Sequence, residues 1–494
     1  MSIHARPQAQ SPGAARRIRE QLLSTVRRTV DAYELLPEGV RVLAACSGGG
    51  DSVTLVHLLA RLAADRRWEV YVGHVHHGLR SSADGDAAFV AELAGRLGLP
   101  CLTRRLRGLG GPNGEARSRA ARYAALAEMA REAGAQAVAT GHTLDDQAET
   151  VLLRLLRGTG VAGLSGILPR RPLAAGVDLV RPLLWCRRQQ LRQFLTEEGE
   201  AWREDETNAD LRHARNRVRA RWMPLLSTEN PRLAEALAQL AEVVREEESV
   251  WAEQVARIVH QLACPAQGGW TVTLREFCRL PVALQRRVLR ELVGNLRAPR
   301  FVQLEQARRL VCSEQPGQEL AFGGGVRLQV GSDSFWVGVP SQPPEYEPVP
   351  LPVPGRCLVA ELGVLVEARV EPLEARGGGW WEAELDVRWV QRELVVRTRK
   401  PGDRIRLAVG TRKLQDLLVD LRVPRWERDR VPLVASRDGE VVWVVGRRVA
   451  DAARPAPEAS HCLRLRAWPL EAGPTSGRPD VDGILGEQPP AGCG

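Results

Sequence analysis

Apolar positions in the first 225 residues fall into two alternating spacings. Val40-Arg41-Val42-Leu43-Ala44-Ala45-Cys46 is an apolar run of buried-strand length, and Val53 to Leu62 carries apolar residues at helical spacing. Glu69 to Val75 reads as a second strand and Asp86 to Leu97 as an amphipathic helix. Leu99 to Thr103 reads as a third strand, Glu115 to Ala133 as a long helix, and Ala135 to Thr140 as a fourth strand. Strands alternating with helices predict an α/β fold with a doubly wound parallel sheet, whose ligands sit beyond the carboxyl ends of the strands. A helix is expected from Arg187 to Glu198, and helices with apolar spacing over residues 230 to 312. Arg327 to Val337 patterns as a β-hairpin.

The pattern suggests four segments. Residues 1–225 are expected to form the α/β domain and 226–340 a mainly helical middle domain. Residues 341–468, entered through the proline-rich Pro343–Pro350 stretch, form a small α+β domain, and 469–494 a Gly/Pro-rich disordered tail.

Composition narrows the class. The chain has 494 residues, 44% of them hydrophobic and 26% charged, which is ordinary for a folded protein with a real core. No apolar run approaches the roughly 20 residues that span a bilayer, and no secretory signal is evident. Nine cysteines, none in a CxxC pair, argue for reduced thiols and a cytoplasmic location. The net charge of +9 permits a polyanionic partner. Lys400 and Lys413 are the only lysines, so arginine carries almost all of the positive charge.

Candidate chemistry centres on Ser47-Gly48-Gly49-Gly50-Asp51-Ser52, between the first strand and its helix. A glycine turn at a helix N-terminus presents unpaired N–H groups to an anion, and Ser47 and Ser52 add hydroxyl donors. Asp51 suits Mg²⁺ better than phosphate. By itself the segment reads either as such a cradle or as an ordinary tight turn. The second strand ends in His74-Val75-His76-His77-Gly78-Leu79-Arg80, either a polar loop or part of the same crevice. The fourth leads into Gly141-His142-Thr143-Leu144-Asp145-Asp146-Gln147-Ala148-Glu149. A helix starting near Leu144 puts Asp146 and Glu149 on one face, a receptor for an ammonium group, with His142 in reach of a phosphate. N-capping by solvated acids is the competing reading. Further on, Arg212, Arg215, Arg217, Arg219 and Arg221 form a strip without an intervening acid, either a solvated face or a nucleic-acid contact.

The six residues of the glycine loop resemble the SGGxDS signature of the PP-loop ATP pyrophosphatase superfamily. GHTLDDQAETVLLRLLRGTGVAGLSGI, the ETNAD and RNRVR segments, and RKPGDRI resemble the bacterial tRNA(Ile)-lysidine synthetase family over roughly residues 38 to 455. That resemblance implies an ATP-dependent ligase. It adenylates C2 of the wobble cytidine in the CAU anticodon of tRNA(Ile) and joins free L-lysine there, releasing AMP and pyrophosphate. Ser47, Gly48, Gly49, Gly50, Asp51 and Ser52 would hold ATP, with Asp51 also on Mg²⁺. Asp146 and Glu149 would hold lysine, with Asp146 favoured over Asp145 as the base. His142 would sit by the nucleotide phosphates, and Arg119 and Arg122 would stabilise charge during AMP transfer. Arg215, Arg217 and Arg219, and in the last domain Arg399, Lys400 and Arg404, would contact tRNA. His76 stands where the family pattern HVNHGLR has asparagine. A PP-loop tRNA thiolase and a catalytically inactive tRNA-binding protein are the alternatives; the first would want paired cysteines, and the intact acidic motif argues against the second. Oligomeric state stays open, a homodimer included.

Overall fold

The computed structural model describes residues 3–4, 12–76, 83–106, 114–204, 210–266, 268–294, 299–313, 315–340, 347–373 and 381–470. The His77–Arg80 part of the histidine segment, most of ETNAD, the Pro343–Tyr346 part of the proline-rich stretch and the tail beyond residue 470 lie outside them. The chain divides into two compact units, residues 1–252 and 253–494.

A six-stranded sheet forms the centre of the first unit. Its strands run in the order Cys101–Arg105, Glu69–His76, Arg41–Ala45, Ala137–Ala139, Val177–Val180 and Arg170–Ala174. The first five are parallel, and Arg170–Ala174 closes the edge as the antiparallel arm of a hairpin. The expected doubly wound sheet is therefore borne out. The edge hairpin is new, because its short arms carry no clean alternation of apolar and polar residues.

Arg41–Ala45 lies at the middle of the sheet, with Val42, Leu43 and Ala44 fully buried. One face is covered by the Pro12–Ala32, Gly50–Arg66 and Arg188–Glu197 helices, whose Leu22, Leu55, Leu59, Leu191 and Phe194 join one core with Val42 and Val72. The Gly114–Glu132 helix covers the other face through Tyr123, Leu126 and Met129. Burying these side chains contributes roughly 1.5–3 kcal/mol each. Because the central strands are parallel, their carboxyl ends share one sheet edge. Both chemistry-bearing loops leave from that edge.

The second unit holds two hydrophobic cores. One packs the Leu274–Arg279, Val282–Gly294 and Phe301–Val311 helices against a five-stranded antiparallel sheet. The expected hairpin is there, as Val326–Val330 paired with Ser334–Gly338. The remaining strands are an addition to the helices read from the sequence. The other core lies between a seven-stranded and a four-stranded sheet, with the Leu414–Asp420 helix packed into it through Leu414, Leu417 and Leu418.

Candidate active site

The glycine loop is built by one backbone conformation and one hydroxyl. Gly48 has φ +88°, a left-handed conformation that a side chain resists. Gly49 is the extended N-cap of the Gly50–Arg66 helix. Ser52, in the first turn, accepts the Ser47 backbone N–H at 3.1 Å and donates to the Gly49 carbonyl at 2.8 Å. The hydroxyl thus ties the two ends of the loop together. On its outer side, the Arg203 N–H donates to the Gly48 carbonyl at 2.9 Å. What the loop presents outward is the start of a helix, with its unpaired amides and positive dipole end.

The second loop is packed directly onto the first. A Cβ on Gly141 would lie 3.1 Å from the Asp51 carbonyl and the Ser52 nitrogen, so any side chain here would push the Asp51 backbone back by a few tenths of an ångström. Thr143 caps the Leu144–Leu156 helix, and Asp146 completes a capping box with it. Asp146 Oδ2 accepts the Thr143 N–H at 2.9 Å and the Thr143 hydroxyl at 3.0 Å. Its other oxygen, Oδ1, faces away from the cap and accepts from three guanidiniums. The two readings of Asp146, cap and ligand, are both true, one on each oxygen.

Those guanidiniums come from Arg188 at 2.9 Å, Arg215 at 3.0 Å and Arg219 at 3.1 Å. Glu149, one turn on and only 3% exposed at its side chain, accepts from the same three at 2.8 to 3.3 Å. Arg188 also reaches Asp51 Oδ2 at 3.2 Å, which joins the glycine loop to the acidic helix. Asp145 is used differently. It accepts the Arg188 backbone N–H at 2.7 Å, capping the Arg188–Glu197 helix, and pairs with Arg187 at 3.5 Å. Four carboxylates, Asp51, Asp145, Asp146 and Glu149, thus face four guanidiniums, Arg187, Arg188, Arg215 and Arg219.

Titration follows from this packing. Burial pushes the Asp51 carboxyl above its usual range, with Arg188 working against the rise. Burial pushes Asp146 the same way, but Arg188, Arg215 and the Thr143 N–H outweigh it and hold its pKa well below normal. Arg188 is held charged: burial opposes its charge, and Asp146, Asp51 and Glu149 more than offset that. Burial lowers His142 to about 3, so it is a neutral imidazole, with Nδ1 2.9 Å from the Thr140 hydroxyl.

Arg119 and Arg122 lie on the Gly114–Glu132 helix with their guanidiniums over the Tyr123 ring, 5.6 and 5.5 Å from its centroid. Arg171 joins them at 5.0 Å, and the buried Arg181 bonds the Leu168 carbonyl beside this group. Burial raises the Tyr123 phenol, yet the four arginines pull it below its usual value. The same positive field, from Arg181 and Arg119, reaches His142. A basic cluster therefore stands beside the imidazole, opposite in sign to the acidic helix.

Three known domain families match the chain: a PP-loop domain over residues 15–226, a TilS substrate binding domain over 273–332 and a TilS substrate C-terminal domain over 394–467. The tRNA(Ile)-lysidine synthase of Symbiobacterium thermophilum is 38% identical, covering 86% of this chain and 93% of its own length. The chain belongs to the tRNA(Ile)-lysidine synthase family. The synthases of Solibacter usitatus and Geobacillus kaustophilus are 36% and 30% identical, over 99% and 94% of their lengths.

Within this member of the family, the structure separates the expected residues into groups. Asp51, His142, Asp146 and Glu149 come together at the sheet edge. Arg119 and Arg122 gather around Tyr123, next to His142. Arg215 and Arg219 leave the expected basic strip and lie on the carboxylates, while Arg217 turns back to the Leu211 and Arg212 carbonyls. His74 and His76 are buried; Nδ1 of His74 contacts the Cys46 carbonyl at 2.9 Å and His76 contacts Asp84 at 3.0 Å. In the second unit Lys400 and Arg404 are exposed, and Arg399 bonds Asp429 at 2.6 Å. Their turn is pinned from inside by Arg397, which grips Asp403 with two hydrogen bonds of 2.7 and 3.0 Å.

Sequence reasoning missed Arg188, Arg181 and Arg397. A helix starting near Arg187 was legible, yet nothing local separates Arg188 from its neighbour Arg187.

Proposed function

We propose that this enzyme adenylates C2 of the wobble cytidine in CAU-anticodon tRNA(Ile) with ATP and then joins free L-lysine to that carbon, forming lysidine with release of AMP and pyrophosphate. The supporting observation is the acidic pair Asp146 and Glu149, bridged by Arg188 to Asp51 of the glycine loop. An ammonium receptor and a triphosphate cradle are thereby held at one sheet edge.

The cytosine carbonyl oxygen is a poor leaving group, so it is first made into an ester of AMP. The amides at the start of the Gly50–Arg66 helix, with Ser47, hold the phosphates of ATP. Asp51 fits Mg²⁺, because its half-buried carboxylate, whose pKa burial raises, gains from a cation, and Mg²⁺ takes few protein ligands alongside nucleotide phosphates. When bound, the ion neutralises phosphate charge. Arg119 and Arg122 supply fixed positive charge as AMP transfers. Neutral His142 donates a hydrogen bond to a phosphate oxygen without adding charge.

Lysine then binds with its ammonium between Asp146 and Glu149. Asp146 Oδ1 is the better base, since Oδ2 is engaged by the cap and Asp145 is turned to a helix terminus. The deprotonated amine attacks C2 and AMP leaves. Arg399, Lys400 and Arg404 contact the tRNA backbone away from the reacting base, and the reaction takes place in the cytoplasm. The test uses purified enzyme, ATP, labelled lysine and a CAU-anticodon tRNA(Ile) transcript. Label retained covalently on the RNA, dependent on ATP and lost with a UAU anticodon, supports the reading. No retention refutes it.

A further inference from the structure

Every oxygen that lysine needs is occupied. Both oxygens of Glu149 and Oδ1 of Asp146 accept from Arg215 and Arg219, at 2.8 to 3.3 Å. An ammonium cannot enter while two guanidiniums fill these positions. Yet in the sequence the two residues belong to the arginine run 212–221, whose charge suits an RNA backbone.

We propose that Arg215 and Arg219 exchange between the acidic site and RNA phosphates, so that tRNA binding uncovers the place that lysine takes. This rests on the reading of Asp146 and Glu149 as the lysine receptor, and adds an order to its filling.

The three arginines differ in how they are held. Arg188 is fixed at both ends: Asp145 holds its backbone N–H, its guanidinium spans Asp51, Asp146 and Glu149, and its side chain is 18% exposed. Arg215 and Arg219 are 35% and 31% exposed and have no other hydrogen-bond partner than Asp146 and Glu149 among the bonds described. Arg215 lies on a four-residue helix, Ala214–Arg217, and Arg219 in the π-turn Val218–Trp222 that continues it. π-turns are rare and concentrate where a helix has work other than packing. Arg188 is thus the permanent counter-ion, and the other two face solvent.

A guanidinium matches phosphate as well as carboxylate, with the same fork of donors. Arriving RNA offers phosphates beside Arg212, Arg217 and Arg221, which belong to the same strip. Once Arg215 and Arg219 move to them, two positive charges leave two buried carboxylates. The site then attracts an ammonium that it had repelled. Coupling of this kind is reciprocal, so lysine must tighten RNA by the factor by which RNA tightens lysine.

The experiment measures labelled lysine by equilibrium dialysis against the full chain without ATP, with and without CAU-anticodon tRNA(Ile) transcript. The expected result is lysine binding tightened roughly tenfold by tRNA. The variant R215Q/R219Q should bind lysine tightly without RNA, and added tRNA should change that little. Lysine affinity in the wild type that tRNA does not move would overturn the proposal. Should the double variant fold poorly by circular dichroism, filter binding of tRNA to the wild type with and without lysine gives the same answer through reciprocity. D146N/E149Q separates the two ideas: wild-type lysine affinity there, with tRNA present, refutes the receptor itself. Lost binding there, together with an uncoupled wild type, leaves the receptor standing and removes the exchange.

Discussion

Replacing Arg188 by methionine keeps most of the apolar stem and removes the charge that holds three carboxylates together. At an effective dielectric near 20, a pair of unit charges 4 Å apart is worth about 4 kcal/mol before desolvation is counted. Arg188 makes such contacts to Asp146 at 2.9 Å and to Asp51 and Glu149 at 3.2 Å. Removing one partner of a buried pair costs about 3–5 kcal/mol. Arg215 and Arg219 still serve Asp146 and Glu149, so the lower end, about 3 kcal/mol at pH 7.5, is expected for R188M. The deficit falls mainly on Asp51, whose pKa burial already raises.

That pKa gives the prediction its signature. A carboxyl with a folded pKa above its unfolded value destabilises the fold at neutral pH, and the penalty is relieved as pH falls through the folded pKa towards the unfolded one. In R188M the Asp51 pKa climbs further. The deficit against wild type should therefore shrink below neutrality, by up to about 1.4 kcal/mol for each pH unit over which Asp51 is protonated only in the folded state. Loss of packing alone has no such dependence. Urea unfolding of both proteins at pH 7.5, 6.5 and 5.5 reads the difference. A deficit under 1 kcal/mol, or one constant with pH, would refute the counter-ion role.

Further outcomes follow from the same geometry. Gly141→Ala forces the second loop off the Asp51 backbone, and about 1–3 kcal/mol of stability should be lost together with ATP-dependent lysine transfer; unchanged activity would show that the 3.1 Å approach is dispensable. Thr143→Ala removes the cap of the acidic helix, costing about 1 kcal/mol by thermal melting and raising the KM for lysine as Asp146 loses its anchor. His142, with its folded pKa lowered to about 3, stays neutral while the unfolded chain protonates; stability is complete above pH 6.5 and falls as pH drops below it. His142→Asn should therefore lose about 2 kcal/mol less than wild type between pH 7.5 and 5.0 in urea melts. Asp146→Ala should abolish lysine transfer to tRNA in the labelled-lysine assay.

The alternation of strand and helix in the first 200 residues, and the glycine loop at the first turn, were legible without coordinates. Buried parallel strands must be apolar throughout, and a backbone close to an anion needs glycine. Both demands are local, so both leave a mark in consecutive residues. The pairing of Asp146 with Glu149 was legible for the same reason, since helical spacing alone places them on one face. The edge hairpin Arg170–Ala174 with Val177–Val180 and the middle sheet escaped notice, because their short strands are stabilised by neighbours rather than by a pattern of their own.

The use of each charge was decided only in three dimensions. Arg188 lies 137 residues from Asp51, and Arg219 lies 70 from Glu149. Nothing in a chain with so many arginines distinguishes those that end beside a carboxylate from those left in water. Asp145 and Asp146 are adjacent and chemically alike, yet one closes the Arg188–Glu197 helix and the other faces the site. Coulombic attraction depends on distance and burial, and both are set by how the sheet brings its loops to a common edge. The sequence alone determined which groups could do the chemistry; the tertiary structure decided which of them meet.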